Sequence, residues 1–233
     1  MTNNTNFNGF TKDTFKFFKD LENNNKREWF EANREVFEKN VMEPAQDYIM
    51  EMGELLKPMC PKIVATPKVD KSIFRIYRDV RFSKDKTPYK THLGIFLWEG
   101  PLKKLGNPGF YIQFDKSKLL IAGGLYSLPS ELTKSYRDSV SDPKKGAQVS
   151  KILKKIAKNS EYTLGGSHYK RVPRGYDPEN PNADLLLHNG LYFYLEGPIP
   201  KEATSKDFLN YTYGFFKDMM PLHAWLRDNV TSS

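Results

Sequence analysis

Up to residue 56 the apolar positions recur with the spacing of helices, and between residues 73 and 125 they alternate or cluster as in strands. Phe10 and Phe15 flank Thr11 at the spacing of a hydrophobic staple around an N-cap. Phe18 and Leu21 continue that side, which predicts a helix ended by Asn23-Asn24-Asn25. Asn25 followed by Glu28 has the spacing of a capping box and predicts a second helix. Along it Phe30, Phe37, Val41, Ala45, Tyr48, Met52 and Leu55 form one apolar face, and Pro44 is expected to kink the helix rather than end it. Pro58, Pro61 and Pro67 then carry the chain into β structure. Strands are predicted at 73–77, 91–98, 110–114 and 119–125, the last two joined in an antiparallel hairpin by Asp115-Lys116-Ser117-Lys118.

Pro129 suits the first turn of a helix running to about Ser139, and Asp142-Pro143 opens another that ends near Lys158. Gly165 to Pro181 is expected to be mostly irregular. A short helix around 184–188, a fifth strand at 191–195 and a last helix capped by Thr204 and Asp207 follow. That last helix carries Phe208, Thr212, Phe215, Met219, Leu222 and Leu226 on one side. Strands gather in the middle and helices at the ends, which predicts an α+β class. The expectation is a single domain with a central, mostly antiparallel sheet flanked by N-terminal and C-terminal helices. Its helical part runs over about 10–56, its sheet-rich part over 62–125 and its mixed part over 127–230.

Composition narrows the function classes. With 39% hydrophobic and 14% aromatic residues the chain builds a core rather than a disordered coil. The opening MTNNTNFNGF lacks the order of a signal peptide, and no apolar run approaches the roughly 20 residues of a membrane span, so a cytoplasmic protein without membrane contact is expected. Cys60 is the single cysteine and the four histidines are scattered, which argues against an internal disulfide, a metal site or a metal-bound cofactor. Gly123-Gly124 lacks the companions of a nucleotide-binding loop and reads as a close-packed strand end or bulge. No serine stands in a nucleophile elbow.

The net charge of +8 is uneven: residues 1–60 carry 8 Lys/Arg against 11 Asp/Glu, which concentrates the positive charge in the rest. Such a surface favours an anionic small molecule or nucleic acid as partner and leaves the oligomeric state open. The lysines from Lys144 to Lys158 read as the solvated face of a helix, while Tyr169, Lys170, Arg171, Arg174 and Tyr176 mix bases and aromatics in a pattern also suited to single-stranded nucleic acid.

The densest chemistry lies between Arg75 and His92. Phe74 and Ile76 are expected to face one way and Arg75 and Tyr77 the other. Beyond them Arg78, Arg81, Lys84, Lys86 and Lys90 stand among Asp79, Ser83, Asp85 and Tyr89. Arginine forks match phosphate or carboxylate, and lysines add point charge. The aspartates either fix the arginines, act as bases, or simply pair with their neighbours to hold the loop. His92, directly beyond, is the histidine with a candidate acid or base role.

Three blocks of this sequence resemble a known family: Asn24-Asn25-x-Arg27-x-Trp29-Phe30-x-x-Asn33, the run from Arg75 to Lys90, and Pro173-Arg174-Gly175-Tyr176-Asp177. They are similar, in order and over nearly the whole chain, to a group of bacterial and fungal proteins known as domain of unknown function 2461. The resemblance implies no established activity. It groups Arg27, Trp29 and Asn33 with the central run and with Arg174 and Tyr176, and it raises the expectation that the three segments meet in one cleft. Three functional classes follow. One is a module binding an anionic ligand through Arg75, Arg78, Arg81, Ser83, Lys86, Tyr89, Lys90, Arg174 and Tyr176. Another is a metal-independent enzyme on a phosphorylated or acidic small molecule, with Asp79, Asp85 or His92 as catalytic candidates. Protein–protein recognition is the third.

Overall fold

Thr11 caps the first helix, α1 (Lys12–Asn23), as its position ahead of the apolar run requires, in a computed structural model that describes residues 7–231. The Thr11 hydroxyl accepts from Thr14 N at 3.3 Å, and Thr14 Oγ1 accepts from Thr11 N at 3.0 Å. The next helical stretch is broken into pieces: α2 (Arg27–Ala32), α3 (Arg34–Phe37), a π turn over Glu38–Met42 and α4 (Glu43–Leu56). The break has a local cause. Pro44 stands in the first turn of α4 without the N–H that a regular helix would aim at the Asn40 carbonyl. Thr14 takes the vacant place, its hydroxyl donating to Asn40 O at 2.5 Å. The expected kink at Pro44 is thus a π turn just before it. The apolar face also ends one residue later than expected, on buried Leu56, whereas Leu55 is exposed.

The sheet has five strands: β1 (Leu93–Trp98), β2 (Gly109–Phe114), β3 (Lys118–Leu125), β4 (Thr163–Ser167) and β5 (His188–Pro198). They are antiparallel and ordered β1-β2-β3-β5-β4. The class is α+β. The β2–β3 turn forms as expected: Asp115 Oδ1 accepts from the amides of Ser117 (2.7 Å) and Lys118 (2.8 Å). Two expectations are corrected. The stretch 73–77 is not a strand of this sheet, and the glycine-rich stretch after 163 begins with β4, which pairs with β5. Gly165 and Gly166 hid that strand, because they remove the side-chain alternation by which strands are read.

Three helices complete the order: α5 (Ser130–Ser141), α6 (Pro143–Ile156) and α7 (Asp207–Leu226). The chain divides into two compact units, one of residues up to Leu97 with Tyr111–Ile121 and Glu196–Gly214, the other of Trp98–Phe110, Ala122–Leu195 and residues from Phe215 on. The first has an aromatic core. Phe10 packs at 4.4 Å from Phe114 and 5.8 Å from Phe208, and Tyr48 donates or accepts a buried hydrogen bond with Thr212 at 2.7 Å.

In the second unit Asp142 caps α6 through the amides of Lys144 and Lys145, and Trp225 Nε1 donates to Lys145 O at 3.1 Å. Tyr136 donates to Leu185 O at 2.9 Å. The lysines of α6 are exposed while Val149, Leu153 and Ile156 are buried, in keeping with a solvated basic face. Gly124, at φ +132°, leaves no room for a side chain, since a Cβ there would lie 2.3 Å from Leu191 O. The Gly123-Gly124 pair is therefore close-packed backbone. No helix among the described residues is long and apolar enough to cross a membrane.

Thr14→Val should lower unfolding free energy by about 1–3 kcal/mol, because it strips the Asn40 carbonyl of its donor and α1 of half its cap. A urea titration showing a change below about 0.5 kcal/mol would remove the role given to this hydroxyl.

Candidate functional site

The run from Phe74 to His92 forms a two-armed ribbon. Tyr77 bridges Tyr89 in antiparallel fashion, Arg78 N donates to Pro88 O at 2.9 Å and Lys90 N to Ile76 O at 2.8 Å. Its base is tied to β1, with Phe74 N donating to Gly94 O (2.9 Å) and Phe96 N to Ser72 O (2.8 Å). Side chains alternate along the first arm as expected, with Arg75 and Tyr77 exposed and Phe74 and Ile76 partly covered.

Asn25 holds the second arm. Its amide Nδ2 donates to Tyr89 O at 2.9 Å, and its Oδ1 accepts from Tyr89 N at 3.0 Å. A primary amide presents one donor and one acceptor side by side, so it satisfies the backbone N–H and C=O of one residue as a neighbouring strand would. This corrects the capping box: α2 begins after Lys26 with no side-chain cap, and Asn25 serves the ribbon instead. Tyr89 is then fixed on its ring as well, stacked on Phe30 at 4.3 Å and 20°. At 2% exposure Tyr89 is packing, and burial raises its hydroxyl pKa.

The loop between the arms is cross-braced. Arg78 binds Asp85 at 2.5 Å and also the Thr87 hydroxyl. Arg81 grips Asp79 with two nitrogens, Nε at 3.0 Å and Nη2 at 2.7 Å. Lys86 Nζ donates to Val80 O at 2.9 Å, and Ser83 N closes a turn on Val80 O at 3.3 Å. The Arg81 side chain holds Asp79 down to about 2, and the Thr87 amide followed by Arg78 does the same for Asp85. Both carboxylates are exposed. Groups so acidic are weak proton acceptors at neutral pH.

Three cations of the segment stand outside these braces. Among the described residues Arg75, Lys84 and Lys90 have no side-chain hydrogen bond or ion pair. Lys90 lies over the Phe74 ring at 5.7 Å. Its pKa is lowered by burial and then by the charge of Arg75, with Asp70 opposing. His92 is lowered too, by burial and then by Lys90, with Asp115 opposing. A cavity of about 150 Å³ opens here, walled by Phe18, Phe30, Phe37 and Phe74. Arg34, Arg75, Tyr77 and His92 supply its polar lining, with Glu38 as the carboxylate. Arg34 is itself engaged, paired with Glu31 at 2.7 Å.

The expected site residues thus separate into three groups. Arg75 and His92 line the cavity, and Lys90 lies beside it over the Phe74 ring. Arg78, Arg81, Lys86, Asp79 and Asp85 brace the loop, with Ser83 in its turn. Arg174 and Tyr176 belong to the second unit, where Tyr176 donates to Asp138 at 2.9 Å and Arg174 is exposed. Of the first block, Arg27 is exposed, Trp29 is half-buried with its ring 5.7 Å from Phe17, and Asn33 donates to Trp29 O at 2.8 Å. Sequence reasoning missed Arg34, whose signal is its place one turn beyond Phe30 on the apolar face. It also missed Phe82, whose ring is 96% exposed at the loop tip.

The chain belongs to the conserved hypothetical protein family DUF2461, whose model matches residues 13–225. No curated protein matches it.

Asn25→Ala should cost about 2–4 kcal/mol in urea unfolding, since it orphans both polar groups of the Tyr89 peptide. Asn25→Asp keeps the acceptor but sets a carboxylate oxygen against the Tyr89 carbonyl, so it should also lower stability. A second expectation concerns acid. Folded pKa values near 2 lie below the ordinary carboxylate value of 3.8, so the loop's bracing is complete above about pH 4 and is lost as pH falls toward 2. Hydrogen exchange at the Thr87 amide, which donates to Asp85 at 2.9 Å, should lose protection over that window once intrinsic rates are allowed for. Unchanged protection at pH 2 would contradict it.

Proposed function

We propose that this member of the DUF2461 family binds a small phosphate- or carboxylate-bearing ligand between Arg75, Lys90 and His92, at the base of the ribbon. The observation that carries the reading is charge without a pairing carboxylate in contact. The charge of Arg75 lowers the pKa of Lys90 against the opposing charge of Asp70, and neither side chain forms an ion pair among the described residues, although five Lys/Arg and two carboxylates share the stretch from Arg78 to Lys90. Like charges held together raise the energy of the empty site, and a bound anion relieves that repulsion. The arginine fork supplies direction and the lysine point charge.

The cavity supports a ligand that enters only in part. Its volume of about 150 Å³ is below the roughly 300–1,000 Å³ of ordinary small-molecule pockets. The four phenylalanine walls favour an apolar or ring portion inside, with the acidic group at the rim. His92, lowered from 6.5 and so neutral at physiological pH, gains a proton more readily once an anion offsets Lys90. Binding therefore takes up a proton there, and affinity rises as pH falls. Binding is favoured over catalysis because Asp79 and Asp85 are tied down as braces, which leaves His92 as the one basic candidate beside the cations.

Thermal unfolding with inorganic phosphate, pyrophosphate, sugar phosphates, nucleotides and dicarboxylates tests this. A ligand at about 100 times its Kd adds about 2.7 kcal/mol, a rise of roughly 5–10 °C for a chain of this size. The rise should vanish in Arg75→Ala/Lys90→Ala, while that variant without ligand melts no lower than wild type because repulsion has been removed. Arg78→Ala should instead melt about 2–4 °C lower and keep the ligand shift. A double variant that melts much lower and a wild type that responds to no anion would together sink the reading.

A further inference from the structure

Phe82 is the barest large apolar side chain among the described residues, at 96% exposure. It stands on a turn held from both sides. Ser83 N closes onto Val80 O, and Lys86 Nζ binds the same carbonyl. The neighbouring guanidinium of Arg81, itself gripped by Asp79, lies 5.8 Å from the centre of the Phe82 ring. The ring is therefore displayed by a braced scaffold. Around it the segment carries cations that form no ion pair among the described residues, Lys84 close by in sequence and Arg75 and Lys90 at the base. Tyr77, on the first arm, is 44% exposed.

We propose that the loop is a binding element for single-stranded nucleic acid, with a base stacked on Phe82 and the phosphates carried by Lys84, Arg75 and Lys90. This extends the anion site proposed above and rests on it. The chemistry that argues for this partner is the pairing of a bare π face with a surplus of positive charge. Every base offers a flat face for an aromatic ring, and every nucleotide adds one negative charge. A simple polyanion has no use for the ring. An anionic bilayer uses apolar area, and here one ring stands nearly alone, since Val80 is partly covered and the other side chains of the tip are charged or polar. Charge complementarity and one isolated stacking face both fit a flexible strand better.

The test is fluorescence anisotropy of a labelled twelve-residue oligothymidylate with the full chain, run beside pyrophosphate titrations by thermal shift. Phe82→Ala should weaken oligonucleotide binding about tenfold, as loss of one base–aromatic stack does, and leave the pyrophosphate shift intact. Phe82→Trp should restore binding and be quenched by the strand, read against the same chain without the substitution. Lys84→Ala should lower the slope of log affinity against log salt by about 0.7, with Phe82→Ala leaving the slope alone. If pyrophosphate binds and the oligonucleotide does not, or if Phe82→Ala binds the strand as wild type does, the nucleic-acid proposal falls and the anion site stands. If neither ligand binds, the nucleic-acid proposal falls. If Phe82→Ala loses affinity only for vesicles of phosphatidylcholine with 30% phosphatidylserine, a lipid surface replaces the strand and the proposal is overturned.

Discussion

Two hydrogen bonds between the Asn25 amide and the peptide of Tyr89 set the position of everything at the candidate site. They join residues 64 apart in sequence, so the contact repays a large loop-closure cost by satisfying donor and acceptor at once. The stack of Tyr89 on Phe30 adds an apolar contact at the same point. Phe30 is also a wall of the cavity, one turn before Arg34. The ribbon is thus registered against the helices from which half of the cavity lining comes. Asparagine is the natural residue for this task. Aspartate lacks the donor, and glutamine adds a methylene that must be frozen.

Once the ribbon is placed, its charges do two different jobs. Exposed ion pairs are individually weak, yet Arg78, Arg81 and Lys86 all close back onto the same short loop, and two of the three closures reach backbone carbonyls. Together they restrict a segment that has no core of its own. Arg75 and Lys90 stand where no such closure exists, and burial followed by the charge of Arg75 acts against the charged form of Lys90. A protein that tolerates this at one spot, while neutralising charge a few residues away, separates scaffold from contact surface within a single stretch of chain.

The sequence made much of this legible and concealed the rest for identifiable reasons. Thr11, the β2–β3 turn and the buried side of α7 follow from short-range rules of capping, turn chemistry and period, and they appear where those rules put them. Asn25 was misread because a cap and a clamp use the same side chain, and only the partner, Tyr89, distinguishes them. The division of the basic residues into braces and free cations depends on which carboxylate each one reaches, and spacing along a loop does not encode that. Arg34 was passed over because it lies in a different segment from the charge-dense run. The strand at Thr163–Ser167 was hidden by its glycines.

The bracing of the loop also determines how this face answers to acidity. Asp79 and Asp85 stay ionised until about pH 2 and the arginines never discharge, so the charge at the tip is constant across the range in which proteins work. Within the stretch from Arg75 to His92, the group that changes state closest to neutrality is His92, at the foot of the ribbon. The face therefore behaves as a fixed electrode with one adjustable contact. Acidification that protonates His92 adds a single positive charge beside the cavity and leaves the outer field as it was.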